Sequence, residues 1–290
     1  MSTWPRNATV STRVRGGDVA QYDSIARDYE ANVVPKFQVI ADRLAVIASP
    51  KPGERVLELG AGTGVLSRLV APRLMPGGHV VLLDLSAGML TVADEILDRA
   101  GHNNVTCVVH DLTELPFVDG QFDLVLCSMG YFEESQKAAR EAFRVLRPGG
   151  RIAIAVWGPL TMHGEGRLLA PARRSAGVTS RFVPSVGSAV RRLARAGFAD
   201  IDREHRRFEV RHDSVDAYIT YRDSFPWRTV ITRPAARRRY LSRLRLEAQR
   251  RADGGGQVAV GWSVTFLSAH RARQSPQVRT ELRLPAPRTK

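Results

Sequence analysis

The sequence predicts an α/β fold: a doubly wound, seven-stranded, mostly parallel sheet with helical lid insertions. Three observations carry that prediction. From Arg55 to Leu66 an apolar run (Val56, Leu57, Leu59) stops at three alternating glycines, Gly60, Gly62 and Gly64, and an apolar periodic segment follows. That reads as strand, tight turn, helix, with the turn too crowded for Cβ atoms. A second apolar run, His79 to Leu83, ends in an acid, Asp84, twenty residues past Gly64. Short apolar runs then alternate with helix-periodic segments as far as Trp157, the pattern of parallel strands joined by crossover helices.

Taken in order, residues 1–19 are polar, basic and aperiodic, and are expected to form a mobile arm. Ala20 to Tyr29 reads as a leading helix. Pro35 opens the next at its first position, with Phe37, Ile40, Leu44 and Ile47 along one face, and Pro52-Gly53 turns the chain into the first strand. After the glycine turn, Leu66, Leu69 and Val70 make a short helix, and Pro76-Gly77-Gly78 returns to the second strand. Ser86 caps a helix carrying Met89, Leu90, Ala93, Ile96 and Leu97, which Gly101 ends.

Val105–Val109 and Phe122–Ser128 read as the third and fourth strands. Ser135 caps a helix facing the sheet with Ala138, Ala142, Val145 and Leu146, and Pro148-Gly149 has type II turn chemistry before the fifth strand, Arg151–Trp157. From Gly158 to Val183 regular patterning stops, and such an insertion lies beside the carboxyl ends of the strands, where ligands bind. Val190, Leu193 and Ala194 mark a helix, Ala199–Val210 a sixth strand, Ser214–Phe225 and Arg233–Ala252 two more helices, and Gly261–Ser268 a seventh strand. The domain is expected over residues 20–272, with a core at 50–157, a lid and substrate region at 158–260, and a disordered tail at 273–290.

With 290 residues, 43% apolar and 25% charged, the chain can bury a substantial core. No apolar run approaches the ~20 residues of a membrane span, and the N-terminus has no apolar signal core, so the expectation is a cytoplasmic protein. Cys107 and Cys127 fall inside strands and are expected to be buried thiols. The net charge of +14 is uneven: residues 1–157 carry 16 Lys/Arg against 18 Asp/Glu, and residues 158–290 carry 27 against 11. Such a basic half suits either a solvated surface or phosphate contacts.

Alternating glycines let the backbone approach a ligand and aim helix-start N–H groups at it. The dinucleotide fingerprint wants G-x-G-x-x-G, but Val65 fills the third slot, and Glu58 suits a cationic ligand better than a pyrophosphate. Asp84 can take both hydroxyls of a ribose, Leu85 and Met89 are placed to face an adenine ring, and Asp111 puts a second acid near its exocyclic amine. The fourth strand ends in the small polar Ser128.

These residues resemble the class I S-adenosylmethionine-dependent methyltransferases: Glu58-Leu-Gly-Ala-Gly-Thr-Gly64, Asp84-Leu-Ser-Ala-Gly-Met89, His110-Asp111-Leu112, and Leu146-Arg-Pro-Gly-Gly150 before a fifth strand. Within them the chain looks like the small-molecule branch that includes the quinone-pathway C-methyltransferases. The resemblance covers roughly residues 20–157 and fades beyond. It implies a Rossmann-like methyltransferase fold, S-adenosyl-L-methionine as cofactor, and a cradle of Glu58, Gly60, Ala61, Gly62, Gly64, Asp84, Leu85, Met89, Asp111, Leu112 and Ser128. It also implies a leading helix that closes over the cofactor and lends an aromatic hydroxyl, for which Tyr22 is the candidate and Tyr29 the next. The seventh strand is implied to pair antiparallel at the sheet edge.

Methyl transfer from a sulfonium is an in-line displacement whose main demand is alignment. A general base helps only where the acceptor holds a proton; His163 is the candidate, with His205 and His212 behind it. Tyr131, Trp157 and Trp227 could line an aromatic acceptor site, and no residue spacing suggests a metal. The expected function is methylation of a small organic acceptor, phenolic, quinone-like or a natural-product scaffold, with no specific nucleic acid partner. Two alternatives stand beside it: methylation of a nucleic acid or protein through the basic half, and a cofactor-binding module that transfers no methyl group.

Overall fold

A computed structural model of the chain describes residues 16–130, 135–158, 164–177, 186–225, 231 and 233–273. His163, Tyr131 and Trp227, the first fifteen residues and most of the tail lie outside these. The described chain runs α1 (Gly16–Asn32), α2 (Val34–Ala48), β1 (Arg55–Leu59), α3 (Ser67–Val70) with a 3-10 turn after it, β2 (His79–Asp84) and α4 (Ala87–Arg99). It continues through β3 (Val105–Val109), β4 (Phe122–Ser128), α5 (Gln136–Val145), β5 (Leu146–Trp157) and α6 (Gly164–Ser175). The remainder is α7 (Val186–Ala196), β6 (Phe198–His212), α8 (Val215–Asp223), α9 (Pro234–Gln249) and β7 (Val258–Arg271).

One seven-stranded sheet orders these as β3-β2-β1-β4-β5-β7-β6. The first five strands are parallel, and β7 is antiparallel to both β5 and β6. The strand order reverses between β1 and β4, which opens a crevice at their carboxyl ends. The pleat sends alternate residues to two cores. Val56, Leu124 and Ala153 face the side of α2 and α4, while Leu57, Val125 and Ile152 face that of α5 and α7.

Local signals account for the helix starts. Ser86, Ser135 and Ser214 each accept a backbone N–H three residues on, at 3.1, 3.1 and 3.0 Å, satisfying donors that the first helical turn leaves without intrahelical partners. Pro35 sits in the first turn of α2.

Four expectations are corrected. The leading helix starts at Gly16, so the last residues of the expected arm are helical. A helix, α6, occupies part of the stretch that showed no pattern; it carries Pro171 internally and is held by the burial of Leu168, Leu169 and Ala172. The edge of the sheet opposite β3 belongs to β6, whose long charged strand pairs only with β7, so β7 is an inner strand. Cys107, on the edge strand β3, is half-buried, and only Cys127 is buried.

Beyond the core, β6 and β7 overrun their neighbour. Trp157, the last residue of β5, pairs with Val264, whereas Val258 to Ser263 pair only with His212 to Arg207 of β6. This two-stranded arm projects past the carboxyl edge of the sheet, and α6 packs on β7, α8 on β6, and α9 on both helices. In α9 the apolar residues Tyr240 and Leu244 are buried, but Leu246 faces solvent. Among the described residues no helix is long and apolar enough to cross a membrane.

Candidate cofactor site

The three glycines after β1 have backbone φ of 63°, 55° and 81°, in the left-handed region that side chains disfavour. Their surroundings differ. A Cβ on Gly60 would lie 2.9 Å from Gly130 Cα, because the turns after β1 and β4 touch backbone to backbone at the strand-order reversal. A Cβ on Gly64 would meet Leu82 at 3.2 Å and Ala93 at 3.3 Å, and its N–H is taken by the Ala61 carbonyl at 3.0 Å. Both glycines therefore serve packing. Gly62 alone faces open space, with nothing within 4 Å of a Cβ placed there.

Asp84 at the tip of β2 is tied to that turn. Its Oδ2 accepts the Gly62 N–H at 2.8 Å and its Oδ1 the Ser86 N–H at 2.9 Å. Burial raises its pKa, while the N–H groups of Ser86, Gly62 and Leu85 pull it back. Glu58, 1% exposed, accepts a hydrogen bond from the Ser67 hydroxyl. Burial pushes its pKa up to about 7; Ser67 opposes the rise and the Asp84 charge adds to it. The buried Glu58 and the half-buried Asp84 thus lie close enough to repel one another around an open glycine.

Helix α1 crosses this cradle and is pinned at two points. Asp23 Oδ1 accepts the Ser86 hydroxyl at 2.6 Å and the Gly88 N–H at 2.8 Å. Arg68 donates to Glu30 at 2.8 Å and to the Thr63 carbonyl, also at 2.8 Å, joining α1 to the glycine turn. The contact is tight, since a Cβ on Gly88 would come within 2.7 Å of Asp23 Cα. Tyr22, half-buried beside Asp23, meets Tyr29 edge-on with ring centroids 6.3 Å apart.

The other expected residues divide. Leu85 is half-exposed beside Asp84, but Met89 is 2% exposed and packs with Ile25, Ala26 and Val92 between α1 and α4. Ala61 is buried and donates its N–H to the Leu83 carbonyl at 3.1 Å. Asp111 Oδ1 accepts the Thr113 N–H at 2.7 Å, and the neighbouring His110 N–H bonds the Asp84 carbonyl at 3.0 Å, which sets Asp111 and the half-buried Leu112 next to the β2 tip. Ser128 ends β4 opposite Ala155 of β5. His205 and His212 lie on β6, three strands from β4; the His205 ring Nδ1 and the Thr265 hydroxyl bond at 3.2 Å, and His212 is buried. Sequence reasoning missed Asp23, Arg68 and Glu30, because each acts on a partner distant in the chain.

The residues fit a nucleoside bearing a positive charge. Gly62 leaves the space a ligand would fill, the Thr63 hydroxyl is buried with no hydrogen-bond partner among the described residues, and Asp84, with Glu58 once it ionises, supplies negative charge. Among the described residues no group of His, Cys, Asp or Glu could hold a metal ion.

A family model described as a methyltransferase domain matches residues 56–150. A ubiquinone/menaquinone biosynthesis C-methyltransferase of Ectopseudomonas mendocina is 40% identical over 111 residues, 37% of this chain and 43% of that protein. Nocamycin O-methyltransferase of Saccharothrix syringae is 28% identical over 218 residues, 68% of this chain and 78% of that protein. The solved structure of Haemonchus contortus phosphoethanolamine N-methyltransferase 2, with phosphomonomethylethanolamine and S-adenosylhomocysteine, superposes with a TM-score of 0.56 at 21% identity, covering 87% of this chain and 58% of that one. The chain thus spans less than half the length of the first quinone-pathway relatives it matches. Residues 56–150 thus match a methyltransferase domain and resemble that of the quinone-pathway C-methyltransferases, and the seven-stranded sheet built around them shares the fold of the solved methyltransferase structure.

Proposed function

We propose that this protein transfers a methyl group from S-adenosyl-L-methionine to a small organic acceptor. The observation that carries the reading is the Gly62–Asp84 pairing between the turn after β1 and the tip of β2, with open space in front of Gly62. Asp84 would hold the ribose hydroxyls, Glu58 the cationic amino-acid end, Leu85 and Asp111 the adenine, and Tyr22 the edge nearest α1. The bound cofactor supplies an electrophilic methyl group on a sulfonium. The chain's own task is to hold that group and the acceptor in line and to exclude water through α1.

The acceptor would lie toward an aromatic cluster. Trp157 at the end of β5, Phe37, Trp262 and Phe225 lie within 6.0 Å of one another in successive ring contacts. These rings and the named relatives support a phenolic, quinone-like or natural-product acceptor. Several arginines of the basic half already pair with carboxylates, Arg237 with Asp223, Arg245 with Asp216, and Arg243, Arg250 and Arg251 with Glu247, which supports a solvated surface over a phosphate groove.

Calorimetry with S-adenosyl-L-methionine and with NAD tests the cofactor: heat is expected with the first and none with the second. Labelled methyl transfer into phenolic and quinone-like acceptors, set against total RNA and DNA at physiological salt, tests the acceptor class. Transfer into nucleic acid alone would overturn it.

A further inference from the structure

Two residues of the stretch Asp84-Leu-Ser-Ala-Gly-Met89, Ser86 and Gly88, are not among those expected to touch the cofactor, yet both meet α1. Ser86 is 2% exposed and stands between two carboxylates. Its backbone N–H donates to Asp84 Oδ1 at 2.9 Å, and its hydroxyl donates to Asp23 Oδ1 of α1 at 2.6 Å. The same hydroxyl accepts the Met89 N–H at 3.1 Å as the cap of α4, so its single proton is committed to Asp23.

Gly88 completes the seat, its N–H donating to Asp23 Oδ1 at 2.8 Å. It lies in the first turn of α4 with φ outside the left-handed region, a place where alanine is favoured over glycine. What a side chain would meet there is α1 itself. A Cβ would come within 2.7 Å of Asp23 Cα and 2.8 Å of its carbonyl oxygen. These are main-chain atoms, so α1 as a whole would have to move.

Asp84 is therefore held from two directions. Gly62 fixes Oδ2 from the glycine turn, and Ser86 fixes Oδ1 from a position that depends on where α1 lies. Lifting α1 would free the Ser86 hydroxyl and open the small contact of Ile25 and Ala26 with Met89 and Val92. Asp23 itself is exposed. A short helix held by so few buried groups belongs to the weakly protected end of a fold. The Asp23 charge works against the contact, since it adds to the rise in the Asp84 pKa that burial causes, but it acts on Asp84 less than the Ser86 N–H does.

We propose that Ser86 is a positioning residue that couples α1 to Asp84, with Gly88 as the seat on which α1 docks. A docked α1 orients the carboxylate assigned to the ribose, and a ribose held there keeps α1 down. The ribose end of this coupling rests on the methyltransferase reading above. Both directions express one coupling free energy, so each end must respond to a change at the other.

The test compares wild type, Gly88→Ala, Asp84→Ala and the double variant by hydrogen exchange and by calorimetry with S-adenosylhomocysteine. Gly88→Ala leaves Ser86 and Asp84 in place and favours α4. It is expected to speed exchange in residues 16–32 and to weaken S-adenosylhomocysteine about tenfold. If the methyl group disturbs α4 as well, seen as faster exchange in residues 87–99, Asp23→Ala takes its place. In the unloaded protein Asp84→Ala should also speed exchange in residues 16–32 while β1 and β4 stay protected, although the substitution lies on β2. Unchanged or slower exchange of α1 in that variant would overturn the proposal, the slower case showing that α1 feels only the repulsion of the two carboxylates. Independent losses of affinity multiply; here the combined loss should fall short of the product by at least about threefold, and a smaller shortfall would also overturn it. The unloaded comparison decides the coupling by itself, so a wild type that binds no S-adenosylhomocysteine would count against the methyltransferase reading instead.

Discussion

The backbone N–H of Gly62 donates to Asp84 Oδ2 at 2.8 Å, joining the turn after β1 to the tip of β2. One carboxylate thus shapes the glycine turn and, in the proposed function, also holds the ribose. Asp84→Ala removes both acceptor oxygens and the charge. Losing two charge-assisted bonds costs roughly 2–4 kcal/mol together, so S-adenosyl-L-methionine affinity should fall about a hundredfold. Unchanged affinity by calorimetry would remove Asp84 from the ribose.

The glycines should separate by experiment. Gly60→Ala drives a methyl group into the Gly130 backbone at 2.9 Å and should lower the melting temperature markedly. Gly62→Ala adds only the cost of a left-handed alanine, about 1–2 kcal/mol, because nothing stands in front of it. It should melt only modestly lower yet bind cofactor poorly. Cofactor binding retained in Gly62→Ala would show that the open space is not the cofactor's.

Glu58 gives a pH signature. In the fold it holds its proton up to about pH 7, against about 4.3 in the unfolded chain. Between those values the folded state binds more protons, so this carboxyl's contribution to stability falls as pH rises from about 4 to 7 and levels off above. Glu58→Gln removes the effect and should melt a few degrees above wild type at pH 8, the gap closing toward pH 5. A cationic cofactor favours the ionised form, so wild-type affinity for S-adenosyl-L-methionine should rise between pH 6 and pH 8 while that of Glu58→Gln stays flat. Parallel curves for the two proteins would exclude Glu58 from both roles.

Asp23 is the fastener of α1. Removing its two bonds to Ser86 and Gly88 should cost about 1 kcal/mol, as a lost helix cap does. The effect should appear locally. Hydrogen exchange in residues 16–32 of Asp23→Ala should speed up while β1, β2 and β4 stay protected, and cofactor affinity should weaken. Uniform exchange changes across the domain would mean that α1 is not a separate cover.

The sequence by itself determined the elements whose causes are local. Three glycines in alternation, serines three residues ahead of the N–H groups they cap, and apolar runs ending in Asp84 or Ser128 are each read within one turn or one strand. These placed the first five strands, the glycine turn after β1 and the acid at the tip of β2. Tertiary structure decided which glycine faces a ligand, since only the approach of Gly130, seventy residues on, shows that Gly60 is packed and Gly62 open. It turned Met89 toward α1, whose position depends on Asp23 and Arg68. It formed α6 across Pro171 through burial of its own leucines, and bonded Glu165 to Arg222 and Trp262, 57 and 97 residues away. It set β7 inside the sheet and β6 at its edge. Capping and periodicity act between near neighbours and are written in short stretches of sequence, whereas burial and charge pairing depend on partners that only the folded path of the chain brings together.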